Sequence, residues 1–175
     1  MISSVVSYSQ TNNVTKEYAI KSAYLVQICK ITTWEKESSR RNRTFKIYTI
    51  GTHDYNAKIK IRKDITIKNR KIEIISIDSL EEVKNLDLID VLYIYKISKS
   101  ELKDILNKIA DKNILIVSEN EGFGELGVII NFFINDDNKV NFEINRDAEL
   151  KSKIKLRSQL YNVSGSKIIG DDYNL

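Results

Sequence analysis

The sequence has no proline and only one cysteine, one histidine and one tryptophan, which are Cys29, His53 and Trp34. A single cysteine cannot form an internal disulfide, and one cysteine with one histidine cannot supply the ligands of a typical structural zinc site. The apolar neighbours of Cys29 indicate a buried, inert thiol. No run approaches the ~18 consecutive apolar residues of a membrane-spanning helix. The scarcity of cysteine and histidine excludes a disulfide framework and a structural zinc domain. The sequence also offers no candidate for a membrane-spanning helix.

Charge of either sign is not concentrated in the chain. The 28 basic and 24 acidic residues of the 175 leave a formal net charge of +4, and only residues 40–43 (RRNR) and 58–63 (KIKIRK) are densely basic. Like-charge blocks without interleaved aromatic residues rarely recognise nucleic acid. We therefore interpret RRNR as a solvated loop and KIKIRK as the solvated face of an amphipathic element. The length is that of one domain of ~100–200 residues.

Hydrophobic periodicity predicts the order of the first elements. Residues 15–31 form a helix that Asn13 or Thr15 can cap, and residues 45–50, 71–77, 91–95 and 114–117 form strands. The last two are continuous apolar runs, as is typical of parallel strands covered on both faces. Two S-x-x-E capping boxes, beginning at Ser79 and Ser98, start helices between strands. Residues 56–61 fit a short helix or a strand equally well.

The stretch GFGELG at residues 122–127 matches the pattern G-x-G-x-x-G. A dinucleotide fingerprint requires a helix directly after the glycine turn. Instead, residues 128–134 and 140–145 are β-branched and aromatic runs joined by turn-forming residues, which predicts a hairpin. The loop carboxylates, Glu119, Glu121 and Glu125, would also repel a phosphate. We predict glycine turns and no dinucleotide cofactor.

The order of elements predicts the fold class. Alternating strands and helices followed by a hairpin indicate an α/β single-domain sandwich, with a mixed sheet of about six strands flanked by helices. Four of the strands are mainly parallel, and the C-terminal pair is antiparallel. Asn145 caps a helix after the hairpin. The segment beyond Val163 has no clear pattern and is predicted to be a mobile tail.

Catalytic signatures are lacking. His53 lies beside Asp54 in GTHD, but the sequence alone pairs no serine or cysteine nucleophile with it. A Ser-His-Asp assembly would have to form in three dimensions, and no G-x-S-x-G motif supports one. We interpret His53 as a surface-loop residue. The sequence therefore predicts no catalytic residue, no metal site and no cofactor, and we expect a protein that is not an enzyme.

Several motifs in the two halves together resemble one bacterial family. The C-terminal half carries ILIVS (114–118), Phe123, GVIINFF (127–133) and NFEIN (141–145), and the N-terminal half carries VQICKITTW (26–34) and FKIYTIG (45–51). This pattern, over roughly residues 16–163, resembles the YfiR family of envelope proteins that restrain a membrane-bound diguanylate cyclase. Glu35 stands where the family usually has proline, Leu126 stands where it often has a glycine, and the cysteine pairs of some members are absent.

The resemblance implies the domain limits and the compartment. Residues 15–163 would form the YfiR-like α/β domain, residues 164–175 the mobile tail, and residues 1–14 a disordered N-terminus or the remnant of a signal peptide. Ser7 and Ser9 occupy the −3 and −1 positions of a cleavage site before Gln10. We expect export to the periplasm, with a basic and apolar leader encoded upstream of Met1. The alternative is a cytoplasmic protein.

The resemblance also implies the partners. They are the periplasmic domain of a membrane diguanylate cyclase or sensor kinase, with a small ligand and a second copy of the chain as further candidates. No nucleic acid is expected. An alternative function is a small-molecule binding module that serves a sensor kinase or a transporter. The loop glutamates would then favour a cationic or polyol ligand.

Candidate binding residues are those that plain structural roles do not explain. Phe132, Phe142 and Ile144 are expected in the hairpin core, and Trp34 is expected at the end of the first helix. Asn131 can satisfy backbone groups beside the loop. Ligands bind outside the carboxyl ends of parallel strands. The predicted partner or ligand site therefore comprises Gly51, His53, Asp54, Ser118, Glu119, Glu121, Phe123, Glu125 and Asn131.

Overall fold

The computed structural model describes residues 3–35, 37–51 and 58–170, with side chains from residue 14 onward. The helices are α1 (Ser3–Ile31), α2 (Lys99–Ile109) and α3 (Arg146–Lys151). Helix α1 begins at Ser3 rather than at Thr15, so neither Asn13 nor Thr15 caps it. The chain has no proline, and it has no glycine before Gly51, so no helix-breaking residue lies between Ser3 and Ile31. The assignment of residues 1–14 to a disordered or leader segment stays a prediction.

The strands of the described residues form one large sheet and one small one. Their bounds are β1 (Thr33–Trp34), β2 (Phe45–Ile50), β3 (Thr66–Ile67), β4 (Arg70–Ile77), β5 (Val91–Ile94), β6 (Leu115–Ser118), β7 (Ile130–Ile134), β8 (Val140–Asn145), β9 (Ile154–Lys155) and β10 (Lys167–Ile169). The 8-stranded sheet has the order β10-β8-β7-β6-β5-β2-β4-β3, and β1 pairs with β9 separately. The predicted α/β class with a mixed sheet is confirmed, with two more strands than expected.

Parallel pairing dominates the centre of the sheet. Strand β2 lies between β4 and β5 and is parallel to both, and β5, β6 and β7 continue the parallel set. The predicted hairpin is β7 with β8, which pair antiparallel. Its aromatic and apolar residues Phe132, Phe142 and Ile144 are buried as expected. The carboxyl ends of β2, β5 and β6 therefore share one edge.

The two faces of the sheet carry separate apolar layers. On one face Leu25, Ile28 and Cys29 of α1 pack in the same cluster as the strand residues Phe45 and Tyr93. On the other face Leu102, Ile105 and Ile109 of α2 pack with Leu92 and Ile94. Cys29 has no exposed surface, so its predicted burial is confirmed, and this burial raises the pKa of its thiol well above its usual range. The helices thus sandwich the sheet.

Both predicted capping boxes exist, but only one starts an α-helix. Ser98 and Glu101 cap α2. Ser79 and Glu82 cap only a 3-10 turn, Leu80–Glu82, which a second turn, Leu86–Leu88, follows. Val83 is extended at the end of the first turn, and Asn85 is extended at the start of the second, so the two turns do not join into one helix. The crossover from β4 to β5 therefore contains two single 3-10 turns in place of the predicted helix.

The two basic stretches behave differently. In KIKIRK, Lys60, Arg62 and Lys63 are exposed while Ile59 is buried, as expected for an amphipathic segment. Residues 58–61 form neither helix nor strand, because the backbone N–H groups of Ile59 and Lys60 donate to side chains, Tyr95 Oη at 2.6 Å and Ser22 Oγ at 3.0 Å.

The interpretation of RRNR as a solvated loop is wrong for Arg40, whose residue is only 8% exposed. Its Nη1 atom lies 2.9 Å from Oδ1 of Asp90, a residue with no exposed surface. A buried carboxylate requires a cationic or hydrogen-bonded partner, and this requirement draws the arginine inward. Arg41, its neighbour, remains exposed as predicted.

Specific contacts order the described part of the C-terminal region, which ends at residue 170. The Asn145 side chain accepts from the Ala148 N–H and caps α3, as predicted. The segment predicted as a mobile tail contains β10, which pairs in parallel with β8 and so satisfies part of its edge. Trp34 is buried after α1, as expected, and its Nε1 donates to the carbonyl of Asp90 at 3.1 Å. The small β1–β9 ribbon holds this tryptophan in place.

Candidate recognition site at the carboxyl edge of the sheet

The loops that follow β2, β5 and β6 converge at one edge of the sheet. Ile50 is in register with Ile94, and Ile94 is in register with Ser118. The chain leaves the three strands at Gly51, at Tyr95 and after Ser118. Gly51 and the segment after Ser118 thus share an edge as predicted, whereas residues 52–54 of the predicted Gly51–Asp54 segment lie outside the described residues.

Gly51 sits where two of these loops touch. Its φ is 102°, and an added Cβ would lie 2.6 Å from Cγ2 of Ile97 and 3.2 Å from the carbonyl oxygen of Lys96. Only glycine adopts such a backbone conformation without a steric penalty. Gly51 is therefore packed directly against the loop after β5. His53 and Asp54, the next predicted site residues, lie outside the described residues.

Glu119 is the centre of a hydrogen-bond network rather than a free carboxylate. Its Oε2 atom accepts from Lys21 Nζ at 2.9 Å and from Tyr93 Oη at 2.8 Å, and its Oε1 atom accepts from the Tyr18 hydroxyl. The Glu119 side chain is only 8% exposed and that of Lys21 only 5%. Charge-assisted bonds of this kind are stronger than neutral ones. The network ties α1 to the loop after β6 and to β5.

The two tyrosines of this network are held in their protonated form. Burial is the main cause that raises the pKa of Tyr18 far above its usual value of 10.0, and the hydrogen bond to Glu119 adds to the rise. Burial also raises the pKa of Tyr93 well above its usual value, followed by the charge of Glu119. Both hydroxyls consequently act as fixed donors at physiological pH.

A second network fixes the other side of the loop. The Ser118 hydroxyl donates to the Ile94 carbonyl at 2.9 Å, and Asn131 Nδ2 donates to the carbonyl of Asn120 at 2.9 Å and to Oε1 of Glu143 at 2.8 Å. The predicted role of Asn131, satisfying a backbone group beside the loop, is confirmed. Its Oδ1 atom is buried and has no hydrogen-bond partner within the described part of the chain.

The glycine-rich loop is a series of turns that leads into a strand. Gly122 and Gly127 have φ values of 75° and 113°, and the Val128 N–H donates to the Phe123 carbonyl at 3.1 Å. Asn145 Nδ2 holds the Gly124 carbonyl at 2.7 Å. No helix follows Gly127, because the chain continues into β7. The interpretation of GFGELG as glycine turns that lead into a hairpin is confirmed.

The predicted site residues separate into two groups by burial. Ser118, Glu119, Phe123 and Asn131 are largely buried and shape the loop from within. Gly51, Glu121 and Glu125 are exposed at the same edge. Among the site residues that the structure describes, only the exposed group can contact another molecule without rearrangement. A recognition role for any of these residues remains a proposal.

Sequence reasoning missed the partners of the buried carboxylates. Lys21 lies in the first helix, far from Glu119 in sequence, so the local absence of cations around the loop glutamates was misleading. Asp90 is a second case. Its carboxylate accepts from Arg40, from Arg43 at 3.4 Å and from Arg70 at 2.5 Å. A detectable signal existed for Asp90, since it stands directly before the buried parallel strand β5.

Cavities mark two further features of the surface. One of about 790 Å³ lies beside the β1–β9 ribbon and α3. Another of about 410 Å³ lies at the Gly51 edge, where the acidic side chains outnumber the lysines. The part of the chain that the structure describes contains no group of three histidine, cysteine or carboxylate side chains arranged for a metal ion. It also contains no helix that is both long and apolar enough to cross a bilayer.

Comparison with known proteins identifies the α/β body as a known type of domain. The family model described as YfiR/HmsC-like matches residues 18–164 of the 175. The matched region starts within α1 and ends between β9 and β10. No curated protein matches the chain.

Proposed function

The chain belongs to the YfiR/HmsC-like family, and from that membership we propose that it is a non-enzymatic envelope protein that binds the periplasmic part of a membrane signalling protein and represses a diguanylate cyclase. The family is regulatory rather than catalytic and is known for periplasmic regulation of diguanylate cyclases. The observation that carries the proposal is the match across residues 18–164, nearly the whole α/β body.

The local chemistry is consistent with binding rather than catalysis. Glu119, the most buried carboxylate of the loop, is occupied by three donors, and the tyrosines beside it are held as protonated donors. These groups rigidify a surface loop whose exposed residues include Glu121 and Glu125. A rigid, preorganised loop lowers the entropy cost of binding another protein.

Binding to a neighbouring receptor tests the proposal directly. The purified chain is titrated against the periplasmic domain of each membrane diguanylate cyclase or sensor kinase encoded beside it, and cellular cyclic di-GMP is measured in a deletion strain. We expect saturable binding to one receptor and a rise in cyclic di-GMP on deletion. No binding to any of them, with unchanged cyclic di-GMP, would overturn the proposal.

The compartment is tested separately. Mass spectrometry of the native N-terminus is expected to find a mature chain beginning near Gln10 in the periplasmic fraction. An intact Met1 in the cytosolic fraction would contradict both export and periplasmic repression.

The cavity of about 410 Å³ at the Gly51 edge supports a second candidate function, a small-molecule binding module for a sensor kinase or transporter. It is lined by Asp78, Glu81, Glu101 and Asp104 together with Lys96 and Lys108. The excess of carboxylates favours a cationic or polyol ligand. A thermal-shift screen of polyamines and sugars tests it, because a ligand that binds only the folded chain raises Tm. No shift with any of them would remove this candidate.

A further inference from the structure

An exposed leucine stands beside an apolar groove between α2 and the glycine-rich loop. Leu126 is 44% exposed, and with Leu102 and Leu106 of α2 it lines a cavity of about 580 Å³. The polar rim of the cavity includes Lys99, Lys103 and Asn107. We call this cavity the Leu126 groove. Its volume is within the range of ~300–1,000 Å³ typical of binding clefts.

The loop presents Leu126 rigidly, so its exposure is not a consequence of fraying. Phe123, three residues earlier, is only 3% exposed, and the Gly127 N–H donates to the Gly124 carbonyl at 3.1 Å. An added Cβ at Gly127 would lie 3.3 Å from Cδ1 of Leu106, so the loop backbone packs directly on α2. An apolar side chain fixed at the surface in this way loses little entropy on binding.

The two lysines of the rim are not neutralised, in contrast to other lysines near them. Lys108 pairs with Glu81, and Lys112 pairs with Asp87 at 3.5 Å. Within the described residues, neither Lys99 nor Lys103 has an ion pair or a side-chain hydrogen bond. The cavity lining contains no carboxylate. The groove therefore combines an apolar floor with an unbalanced positive rim.

These lysines also oppose the stability of the helix that carries them. Lys99 is the first residue of α2, where the helix dipole favours negative charge. Lys103 follows it at the i,i+4 position, where like charges destabilise a helix by a few tenths of a kcal/mol. Helix formation does not account for the positions of these charges, whereas recognition of an acidic partner does.

We propose that the Leu126 groove binds an acidic amphipathic segment of the partner protein. An apolar side chain of that segment lies between the leucines, and flanking carboxylates contact Lys99 and Lys103. This inference rests on the proposed function, because the segment belongs to the receptor that the chain binds. Helix-in-groove recognition uses the same combination of apolar anchors and charged flanks.

The test measures binding of the full chain to the receptor's periplasmic domain in two matched pairs of variants. Leu126→Asp is compared with Ile134→Asp, because both residues are 44% exposed. The double variant Lys99→Gln/Lys103→Gln is compared with Lys30→Gln/Lys151→Gln, which changes the net charge equally at two exposed lysines outside both the groove and the Gly51-edge cavity. We expect Kd to rise about tenfold or more for the two groove variants and less than about twofold for the controls. Unchanged circular dichroism confirms folding, and Leu126→Ser replaces Leu126→Asp if the latter unfolds.

The possible outcomes separate a failure of the groove proposal from a failure of the proposed function. Wild-type binding that both groove variants retain would overturn the groove and leave the proposed function intact. Equal losses of affinity in the two lysine double variants would show that binding depends on net charge in general. That result would overturn the proposed role of Lys99 and Lys103. Absence of wild-type binding would remove the proposed function and the groove together. Groove-dependent binding to phosphatidylglycerol vesicles without receptor binding, or groove-dependent self-association, would replace the proposed occupant.

Discussion

The Nζ atom of Lys21 in α1 lies 2.9 Å from Oε2 of Glu119 in the loop after β6. Both side chains are less than a tenth exposed, so the ion pair is protected from solvent screening. Tyr93 of β5 donates to the same carboxylate oxygen at 2.8 Å. One carboxylate thus connects the first helix, the central sheet and the candidate recognition loop.

Replacing Glu119 should destabilise the fold more than replacing its neighbour Glu121. Glu119→Gln removes one of the two carboxylate charges that pair with buried Lys21, the other being that of Glu17, and we expect a loss of roughly 1–3 kcal/mol in the free energy of unfolding. Glu121→Gln, at an exposed position two residues away, should change it by less than about 0.5 kcal/mol. Urea unfolding measures both. Equal effects would show that the network does not stabilise the loop.

Alkaline pH should destabilise the protein through Tyr93. The pKa of this phenol is raised in the folded state above its usual value of 10.0, mainly by burial. Below pH 10 the hydroxyl is protonated in both states, and its contribution to stability is complete. Above pH 10 only the unfolded chain ionises, so Tyr93 lowers stability by about 1.4 kcal/mol per pH unit. Tyr93→Phe should flatten the decline measured between pH 9 and 11, and an unchanged slope would contradict this.

Asp90 should be one of the least replaceable residues of the chain. It has no exposed surface, and its carboxylate faces Arg40, Arg43 and Arg70. Asp90→Asn leaves these cations without their shared counter-charge, and we expect a loss of about 3–5 kcal/mol. Asp87→Asn is the matched control, because Asp87 is largely exposed and its ion pair with Lys112 is worth less than about 1 kcal/mol. Thermal unfolding of the two variants separates these expectations.

Two glycines with positive φ test the close contact at the carboxyl edge. Gly51→Ala adds backbone strain and a Cβ 2.6 Å from Ile97, whereas Gly122→Ala adds strain alone, since no atom lies within 4 Å of its Cβ position. The strain costs ~1–2 kcal/mol at each position. Gly51→Ala should therefore lower the free energy of unfolding measurably more than Gly122→Ala does. A smaller loss for Gly51→Ala would mean that Gly51 does not pack against Ile97.

The sequence was informative wherever a local pattern determines structure. Continuous apolar runs identified the central parallel strands, and β-branched and aromatic runs joined by turn-forming residues identified the hairpin. The capping box of Ser98 with Glu101 marked the start of α2. The absence of a helix after Gly127 was readable from the β-branched run that follows it. Each of these features depends on residues within a few positions of one another.

The features that were not predictable depend on pairs of residues distant in sequence. The sequence predicts a solvated Arg40, because its partner Asp90 is fifty residues away in the chain and no local pattern connects the two. The strand β10 was missed because three residues acquire extended structure only by pairing with β8. The lysines of the Leu126 groove carry no distinctive motif, and only their missing counter-charges in three dimensions distinguish them.

The β1–β9 ribbon has a kinetic consequence. Trp34, directly after the first helix, pairs with Ile154 in the last part of the chain, so its final environment cannot form until most of the polypeptide is present. Contacts between residues so far apart in sequence slow folding, because the entropy of loop closure opposes them before they stabilise the product. During synthesis, which starts at the N-terminus, the chain therefore remains incompletely folded at least until residue 155 has been added. Until then, the apolar surface that Trp34 later helps to bury is accessible to chaperones.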